Sequence, residues 1–165
     1  MVDSIIRPSH FKWVIIKNKN YDLMRTYLKY ENFKDLKHVD ADAINVRNSI
    51  IEMGGRAQDI ETHEDIDSEA FKKLFNKLKN IIYNNWAERQ EYTLVFVYYA
   101  GHGLMTETTN ALCNGFRQKN GQKGKYSKTR YNLEHRLRSL GMEEGGYILG
   151  IFDCCRERIS QDKRD

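Results

Sequence analysis

The amino-acid sequence predicts an α/β fold in which a mostly parallel sheet carries helices on both faces. Short runs rich in β-branched and aromatic residues alternate along the chain with longer segments of helical periodicity. The resulting order is strand, helix, strand, helix, strand, helix, strand, which is typical of a parallel sheet built from crossover units. Two of the strand-like runs are apolar on both faces, as interior strands of a parallel sheet are.

The first strand and the first helix are recognised by their ends. The run at 11–17 (FKWVIIK) is rich in β-branched residues and stops at a turn-like Asn-Lys-Asn segment, as a buried strand does. The segment 21–39 is polar and aromatic without clean periodicity, and we interpret it as a loop with some helix. A helix over 40–53 begins where Asp40 and Asp42 offer carboxylates to the free N–H groups of a first turn, and a pair of glycines ends it.

A short strand at 56–61 and the longest predicted helix come next. Asp67 or Ser68 caps that helix, which runs to Trp86. Its apolar residues recur at helical spacing on one side, so that side faces the core. These residues are Phe71, Leu74, Phe75, Leu78, Ile81 and Ile82.

The second half of the chain carries the two most apolar runs. They lie at 92–100 (YTLVFVYYA) and at 147–153 (YILGIFD), and both are predicted to be buried strands. Between them, 114–128 is rich in Gly, Lys, Asn and Gln and predicts a loop. A third helix over 129–140 places its leucines on one face before the last strand.

Length and composition indicate one domain over 1–165, with a core at about 11–158 and a short basic tail at 159–165. Apolar residues make up 40% of the 165 residues and charged residues 30%, which is a globular balance. The net charge of +4 is too small to imply a nucleic-acid or membrane partner by itself. The basic segment 117–138 reads as a solvated surface, and a docking surface for an acidic partner is the alternative.

The cysteines indicate a reducing, cytoplasmic setting. The chain has three of them, and an odd number with two adjacent does not suit a disulfide framework. The histidines and cysteines show no zinc-site spacing, so no metal is predicted. The N-terminus lacks the apolar stretch of a secretory signal, and the longest apolar run, at 94–100, is too short to span a membrane.

Two predicted strands end in residues that carry chemistry. The strand ending at Ala100 runs into Gly101-His102-Gly103, and the strand ending at Asp153 runs into Cys154-Cys155. In open parallel sheets, ligands bind just beyond the carboxyl ends of the strands. A lone histidine there is more often a structural hydrogen-bonding group, and a lone cysteine is more often an inert apolar residue. Their joint occurrence favours a nucleophilic pair.

The chemistry of such a pair sets further expectations. A thiolate is the nucleophile, and a neighbouring imidazole takes the thiol proton and later protonates the leaving amine. The oxyanion that forms needs fixed N–H donors, and the backbone N–H groups of Gly103 and Cys155 are the candidates. His102 and Cys155 are therefore the predicted catalytic residues. No cofactor is needed for this chemistry, and a calcium requirement is not readable from the sequence.

Two motifs resemble those of a known family. VYYAGHG at 97–103 resembles the histidine motif shared by caspases, metacaspases and paracaspases, and GIFDCCRER at 150–158 resembles their cysteine motif. The spacing of 53 residues between His102 and Cys155 is also close to the caspase spacing of about 50. Weaker similarity occurs at 14–21, 39–41 and 51–55. Together with the two motifs, the resemblance extends over about 11–158.

The resemblance implies a caspase-like three-layer fold and a cysteine endopeptidase of the large-subunit type. It makes Cys155 the nucleophile and gives Cys154 the variable position before it. The order Asp, one residue, Cys is that of metacaspases and paracaspases, and the following Arg-x-Arg is most similar to paracaspases. In these families the acid that matches Asp153 lines the pocket for the residue before the cut, which implies cleavage after Arg or Lys.

A second pocket acid has two candidates in this sequence. Asp40 matches the second acidic pocket residue of these families. The neighbouring Asp42 is the alternative, in which case Asp40 serves only as a helix cap.

The resemblance also predicts partners and leaves alternatives open. Family domains continue past the cysteine strand with small-subunit strands, which this chain lacks, so a small-subunit segment or second chain is expected beside the protein or peptide substrate. Paracaspases and caspases work as dimers and metacaspases mostly as monomers, so a homodimer remains open. The competing functions are a catalytically inactive caspase-like interaction module and a nucleic-acid-binding domain that uses 117–138.

Overall fold

Strands and helices alternate along the chain as the sequence predicts. The computed structural model describes residues 8–21, 35–105, 110–113, 130–131, 133–154 and 156–158. In chain order the elements are β1 (His10–Lys17), α1 (Val39–Glu52), a 3-10 turn (Ala57–Asp59), β2 (Ile60–Glu64), α2 (Ser68–Arg89), β3 (Thr93–Ala100), β4 (Gly103–Met105), β5 (Asn110–Cys113), β6 (Arg130–Tyr131), α3 (Leu133–Gly141), β7 (Gly146–Asp153) and β8 (Arg156–Arg158).

The main sheet has four strands, all parallel, in the order β2-β1-β3-β7. The strand β3 lies between β1 and β7, and all of its residues except Leu94 are buried. A fully buried central strand explains why the run at 92–100 has no polar face. The α/β fold class and the parallel sheet predicted from the sequence are confirmed.

Helices cover both faces of this sheet. The helices α2 and α3 pack on one face, where Phe71, Leu78 and Leu137 join Val14 and Val97 in one apolar cluster. The helix α1 covers the other face through a second cluster, which contains Ile15, Val39, Ala43, Ile50, Phe96, Tyr98 and Ala100. The predicted apolar stripe of α2 faces the core, with Ile81 less buried than its other members.

The prediction that the last strand is fully buried is wrong. The strand β7 stands at the edge of the sheet, and Tyr147, Leu149 and Ile151 keep 39%, 50% and 47% of their surface exposed. The face of β7 that carries Gly150 lies tightly against α3, because a Cβ at Gly150 would come within 2.6 Å of Leu137. Tyr147, Leu149 and Ile151 are on the opposite face, which is the side of the sheet that α1 covers. They remain exposed because α1 packs mainly on β1 and β3.

Several boundaries differ from the prediction. The second strand begins at Ile60, after a 3-10 turn, and the third helix begins at Leu133. Asp67 caps α2 as expected, because its carboxylate accepts a hydrogen bond of 2.8 Å from the Ala70 N–H. The helix α1 begins at Val39 with His38 at its N-cap position, so Asp40 is not its cap.

A second, smaller sheet was not predicted. It has the strand order β6-β5-β4-β8, with antiparallel β4–β5 and β5–β6 pairs and a parallel β4–β8 pair. The predicted loop at 114–128 and the tail at 159–165 lie outside the described residues, as does most of the basic segment 117–138. Among the described residues, no helix is both long and apolar enough to cross a membrane.

Candidate active site

The ends of β3 and β7 bring the two predicted motifs to one edge of the sheet. Ala100 pairs with Asp153 in the parallel ladder, and the Gly101 N–H donates to the Asp153 carbonyl oxygen at 3.2 Å. The pairing resumes beyond the main sheet, where Gly103 of β4 pairs with Arg156 of β8. Each pair joins positions 53 apart, which is also the separation of His102 and Cys155. Cys155 itself lies outside the described residues.

Two buried tyrosines hold the backbone of His102. The His102 N–H donates to the Tyr21 hydroxyl at 2.9 Å, and the Tyr99 hydroxyl donates to the His102 carbonyl oxygen at 3.0 Å. The Tyr21 ring also meets the imidazole edge to face, with the ring centroids 4.5 Å apart. Only 5% of the His102 surface is exposed. Its backbone N–H and carbonyl oxygen are therefore buried, and both are hydrogen-bonded.

The first glycine of the Gly-His-Gly motif is required by space. A Cβ at Gly101 would come within 2.5 Å of the Tyr99 hydroxyl and 2.9 Å of the Tyr21 hydroxyl. The two tyrosines that hold His102 can therefore close around the loop only because position 101 has no side chain. Gly103, the predicted oxyanion-hole residue, is buried and opens β4.

A pocket of about 260 Å³ lies beside this edge. Its lining comes from the segment before α1, the first turn of α1 and the ends of β3 and β7, including Ala100 and Cys154. Asp42 and Asp153 are its acidic groups, and the exposed Lys37 and His38 are its basic ones. The structure thus brings Asp153 together with Asp42, the alternative that the sequence left open.

Asp40 points to different partners. It forms ion pairs with Lys17 and with Lys19, the latter at 3.0 Å, and Glu64 pairs with the same two lysines at 3.0 and 2.6 Å. The hydrogen bond from Lys17, followed by the one from Lys19, lowers the pKa of Asp40 below its usual value. The described lining of the pocket does not include Asp40.

Asp153 has a hydrogen-bond donor from the neighbouring strand. The Tyr98 hydroxyl donates to the Asp153 Oδ2 at 3.0 Å. Burial, and then the bond to this carboxylate, raise the pKa of Tyr98 far above its ordinary value, so its hydroxyl stays protonated at neutral pH.

The model of the caspase domain family matches residues 12–165 of this chain. The chain belongs to the caspase domain family. This membership supports cysteine-type peptidase activity in general and, with it, protein substrates. No curated protein matches the chain.

Within this caspase domain, the sequence did not single out the tyrosines that surround the motif residues. Tyr98 and Tyr99 lie within the apolar run at 92–100, and Tyr21 follows the turn-like segment after the first strand. A buried phenol hydroxyl needs a hydrogen-bond partner. That need was the available signal, although it does not name the partner. Within the described parts of the chain, no three or more His, Cys, Asp or Glu side chains are grouped as a metal site.

Proposed function

We propose that this caspase domain is a cysteine endopeptidase that cuts after Arg or Lys, with Cys155 as the nucleophile and His102 as its base. The observation that carries the proposal is the strand register on both sides of His102 and Cys155, where each pair of partners is 53 positions apart in sequence. Ala100–Asp153 and Gly103–Arg156 flank His102 and Cys155 with the same offset. Adjacent parallel strands lie about 4.8 Å apart, so this register suits a thiol and an imidazole that share one substrate.

The reaction follows from these two groups. His102 takes the proton of the Cys155 thiol, and the thiolate attacks the scissile carbonyl carbon. The N–H groups of Gly103 and Cys155 stabilise the oxyanion. The C–N bond then breaks as the imidazolium protonates the leaving amine, which leaves a thioester on Cys155. Water, deprotonated by His102, hydrolyses the thioester and restores the free thiol, so the reaction needs no cofactor.

The two carboxylates in the pocket support the choice of substrate. A basic side chain that enters between Asp42 and Asp153 can pair with both carboxylates, and a guanidinium can do so through several N–H donors. Asp153-Cys154-Cys155 followed by Arg156 and Arg158 favours the metacaspase and paracaspase types, with the paracaspase type the nearer. Asp153 and Asp42 are the specificity residues in this proposal, in place of Asp40.

The edge strand β7 supports a protein partner. Among the described residues no strand pairs with its outer side, and Leu149 and Ile151 are about half exposed. A small-subunit segment or chain of the caspase type would pair with this edge and cover these side chains. We further propose a cytoplasmic setting, because a nucleophilic thiol stays reduced, and therefore reactive, in that compartment. Sedimentation velocity measures whether two copies associate as a homodimer.

The proposal is tested with a fluorogenic peptide that ends in Arg and with an Arg chloromethylketone that alkylates the nucleophile. The full-length protein should hydrolyse the peptide, and labelling should map to Cys155. Cys155→Ala and His102→Ala should each lower kcat by at least about 1000-fold. Cys154→Ala is the matched control for the second thiol, and labelling of this variant should still map to Cys155. Absence of both hydrolysis and labelling would instead support an inactive interaction module.

A further inference from the structure

Tyr98 and Asp153 lie on the same face of the main sheet. In the β3–β7 ladder Tyr98 pairs with Ile151, and Ala100 pairs with Asp153. Partners in a parallel ladder point to the same face, and so do residues two apart on one strand. Tyr98 is therefore the diagonal neighbour of Asp153, and its ring lies on the face that α1 covers, packed in the same cluster as Val39 and Ala43.

The two side chains differ sharply in freedom. Tyr98 is 5% exposed and tightly packed, whereas Asp153 is exposed at the end of an edge strand. An exposed carboxylate samples several rotamers, and fixing one of them on substrate binding costs conformational entropy. The hydrogen bond of 3.0 Å from Tyr98 to the Asp153 Oδ2 fixes that rotamer before any substrate arrives.

The hydrogen bond also leaves part of the carboxylate free. Among the described residues, Tyr98 is the only hydrogen-bond partner of the Asp153 carboxylate, and it binds one oxygen. The other oxygen remains available at the pocket, which Asp153 lines and Tyr98 does not. Ala100, the ladder partner of Asp153 on β3, also lines the pocket and contributes only a methyl group there. Tyr98 would thus act on a ligand only through Asp153.

We propose that Tyr98 is a positioning residue for substrate selection, because its hydroxyl holds the Asp153 carboxylate in the orientation that receives a basic side chain. This inference rests on the proposed function, in which the pocket binds Arg or Lys. Tyr98 remains a donor at neutral pH, because burial and Asp153 both favour the neutral phenol.

Tyr98→Phe removes the hydroxyl and keeps the ring, so it isolates this hydrogen bond. For a peptide ending in Arg, we expect KM to rise about tenfold in the full-length protein while kcat changes less than about twofold. A peptide ending in citrulline has the same shape without the charge, and its KM should not change. Tyr83→Phe is the matched control, because Tyr83 is 62% exposed on α2 and far from the pocket in sequence and fold.

A second variant covers the case in which Tyr98→Phe fails to fold. Asp153→Glu keeps the charge but moves the carboxylate away from the Tyr98 hydroxyl, and it should raise KM for the Arg peptide by a similar factor. In a double-mutant cycle, Tyr98→Phe should have no further effect on KM once Asp153 is Ala, because the hydroxyl then has nothing to position.

The outcomes separate the inference from the function beneath it. If the wild type prefers Arg to citrulline and KM is unchanged in Tyr98→Phe or in Asp153→Glu, Tyr98 has no positioning role and the proposed function stands. An equal rise of KM for both peptides would reduce Tyr98 to a structural residue. If the wild type treats the two peptides alike or cleaves neither, the proposed pocket is wrong and the inference falls with it.

Discussion

Asp40 and Asp42 differ by two positions in the first turn of α1, and their carboxylates have different partners. Residues two apart on a helix point in nearly opposite directions, so only one of the pair can face the pocket. The structure directs Asp42 to the pocket and Asp40 to Lys17 and Lys19. Similarity to the family favoured Asp40, because a motif fixes positions in the sequence and does not show which lysines lie nearby.

We expect the two acids to separate in a substitution experiment. Asp42→Asn should raise KM for a peptide ending in Arg about tenfold, because an ion pair in the pocket is lost. Asp40→Asn is the matched control and should change KM less than about twofold, since its partners are the two lysines. Steady-state kinetics of the full-length protein measures both values. A larger effect of Asp40→Asn would return the role to Asp40.

Tyr21 should affect the catalytic step rather than substrate selection. Its hydroxyl accepts the buried N–H of His102, a contact between residues 81 positions apart. Tyr21→Phe removes this acceptor from a buried N–H, which should lower the free energy of unfolding by about 1–3 kcal/mol. Because His102 then loses one of its fixed contacts, kcat should fall while the preference for Arg over citrulline persists. Chemical denaturation and kinetics measure the two effects, and unchanged values of both would contradict the role.

Local patterns in the sequence predicted His102 just beyond one strand and Asp153 at the end of another, and the family resemblance predicted the pocket role of Asp153. It could not assign Tyr21 to His102, since that contact depends on how the segment after β1 meets the end of β3. Residue types at strand ends are therefore readable from the sequence, whereas the groups that orient them depend on tertiary packing.

At the scale of elements, four charged side chains form ion pairs that link the end of β1 to the start of α1 and to the end of β2. Lys17 and Lys19 each pair with Asp40 and Glu64. Asn18, between the lysines, is buried and accepts a hydrogen bond of 3.1 Å from the Ile66 N–H. We call Lys17, Asn18, Lys19, Asp40 and Glu64 the corner. Their contacts fix the position at which α1 starts, and the first turn of α1 forms part of the pocket wall.

The charges of this corner predict how stability depends on pH. Hydrogen bonds from the lysines lower the pKa values of Asp40 and Glu64 below their ordinary values of 3.8 and 4.5. A lowered pKa in the folded state stabilises the protein above the ordinary value, and the contribution is lost as the pH falls through the folded value. The melting temperature of the wild type should exceed that of Asp40→Asn from pH 6 to 8, and the difference should vanish in acid.

The side chains of the corner are partly exposed, so the same difference should be small and should shrink in high salt. Glu52→Gln is the matched control, because Glu52 is an exposed acid at the other end of α1. A difference that stays constant as the pH falls from 6 to far below the ordinary value of 3.8 would show that Asp40 stabilises the corner by packing and not by charge.

Elements with strong periodicity were predictable, and short ones were not. The apolar stripe of α2 and the fully apolar β3 reflect burial that is visible in the sequence. The strands of the second sheet have two to four residues, too few for any period to show. The strands β5 and β8 pair with β4, which starts at the second glycine of the Gly-His-Gly motif, and β6 pairs with β5.

At the scale of the whole molecule, β7 is an edge strand of the main sheet within the part of the chain that the structure describes. Its sequence predicted burial on both faces, and the structure shows the face on the α1 side about half exposed at Leu149 and Ile151. The two findings agree if a further element covers this side, because an apolar edge strand otherwise invites uncontrolled pairing. An apolar run in the sequence indicates that a strand is suited to burial, but it does not show whether the strand is central or at an edge of the sheet.

Hydrogen exchange should reveal this open edge residue by residue. The carbonyl groups of Gly145 and Asp153 accept hydrogen bonds from Thr93 and Gly101, so odd-numbered residues of β7 face β3. The N–H groups of Leu149 and Ile151 should then be protected, while those of Gly150 and Phe152 point to the open side and should exchange at least about tenfold faster in the isolated chain. The amides of β3, which has a partner on both sides, should all be slow and serve as the internal control. Binding of the proposed small-subunit segment or chain would pair a strand with Gly150 and Phe152 and slow their exchange. Equal protection of odd and even amides in the isolated chain would mean that the edge is already covered, and the proposed partner would then need another surface.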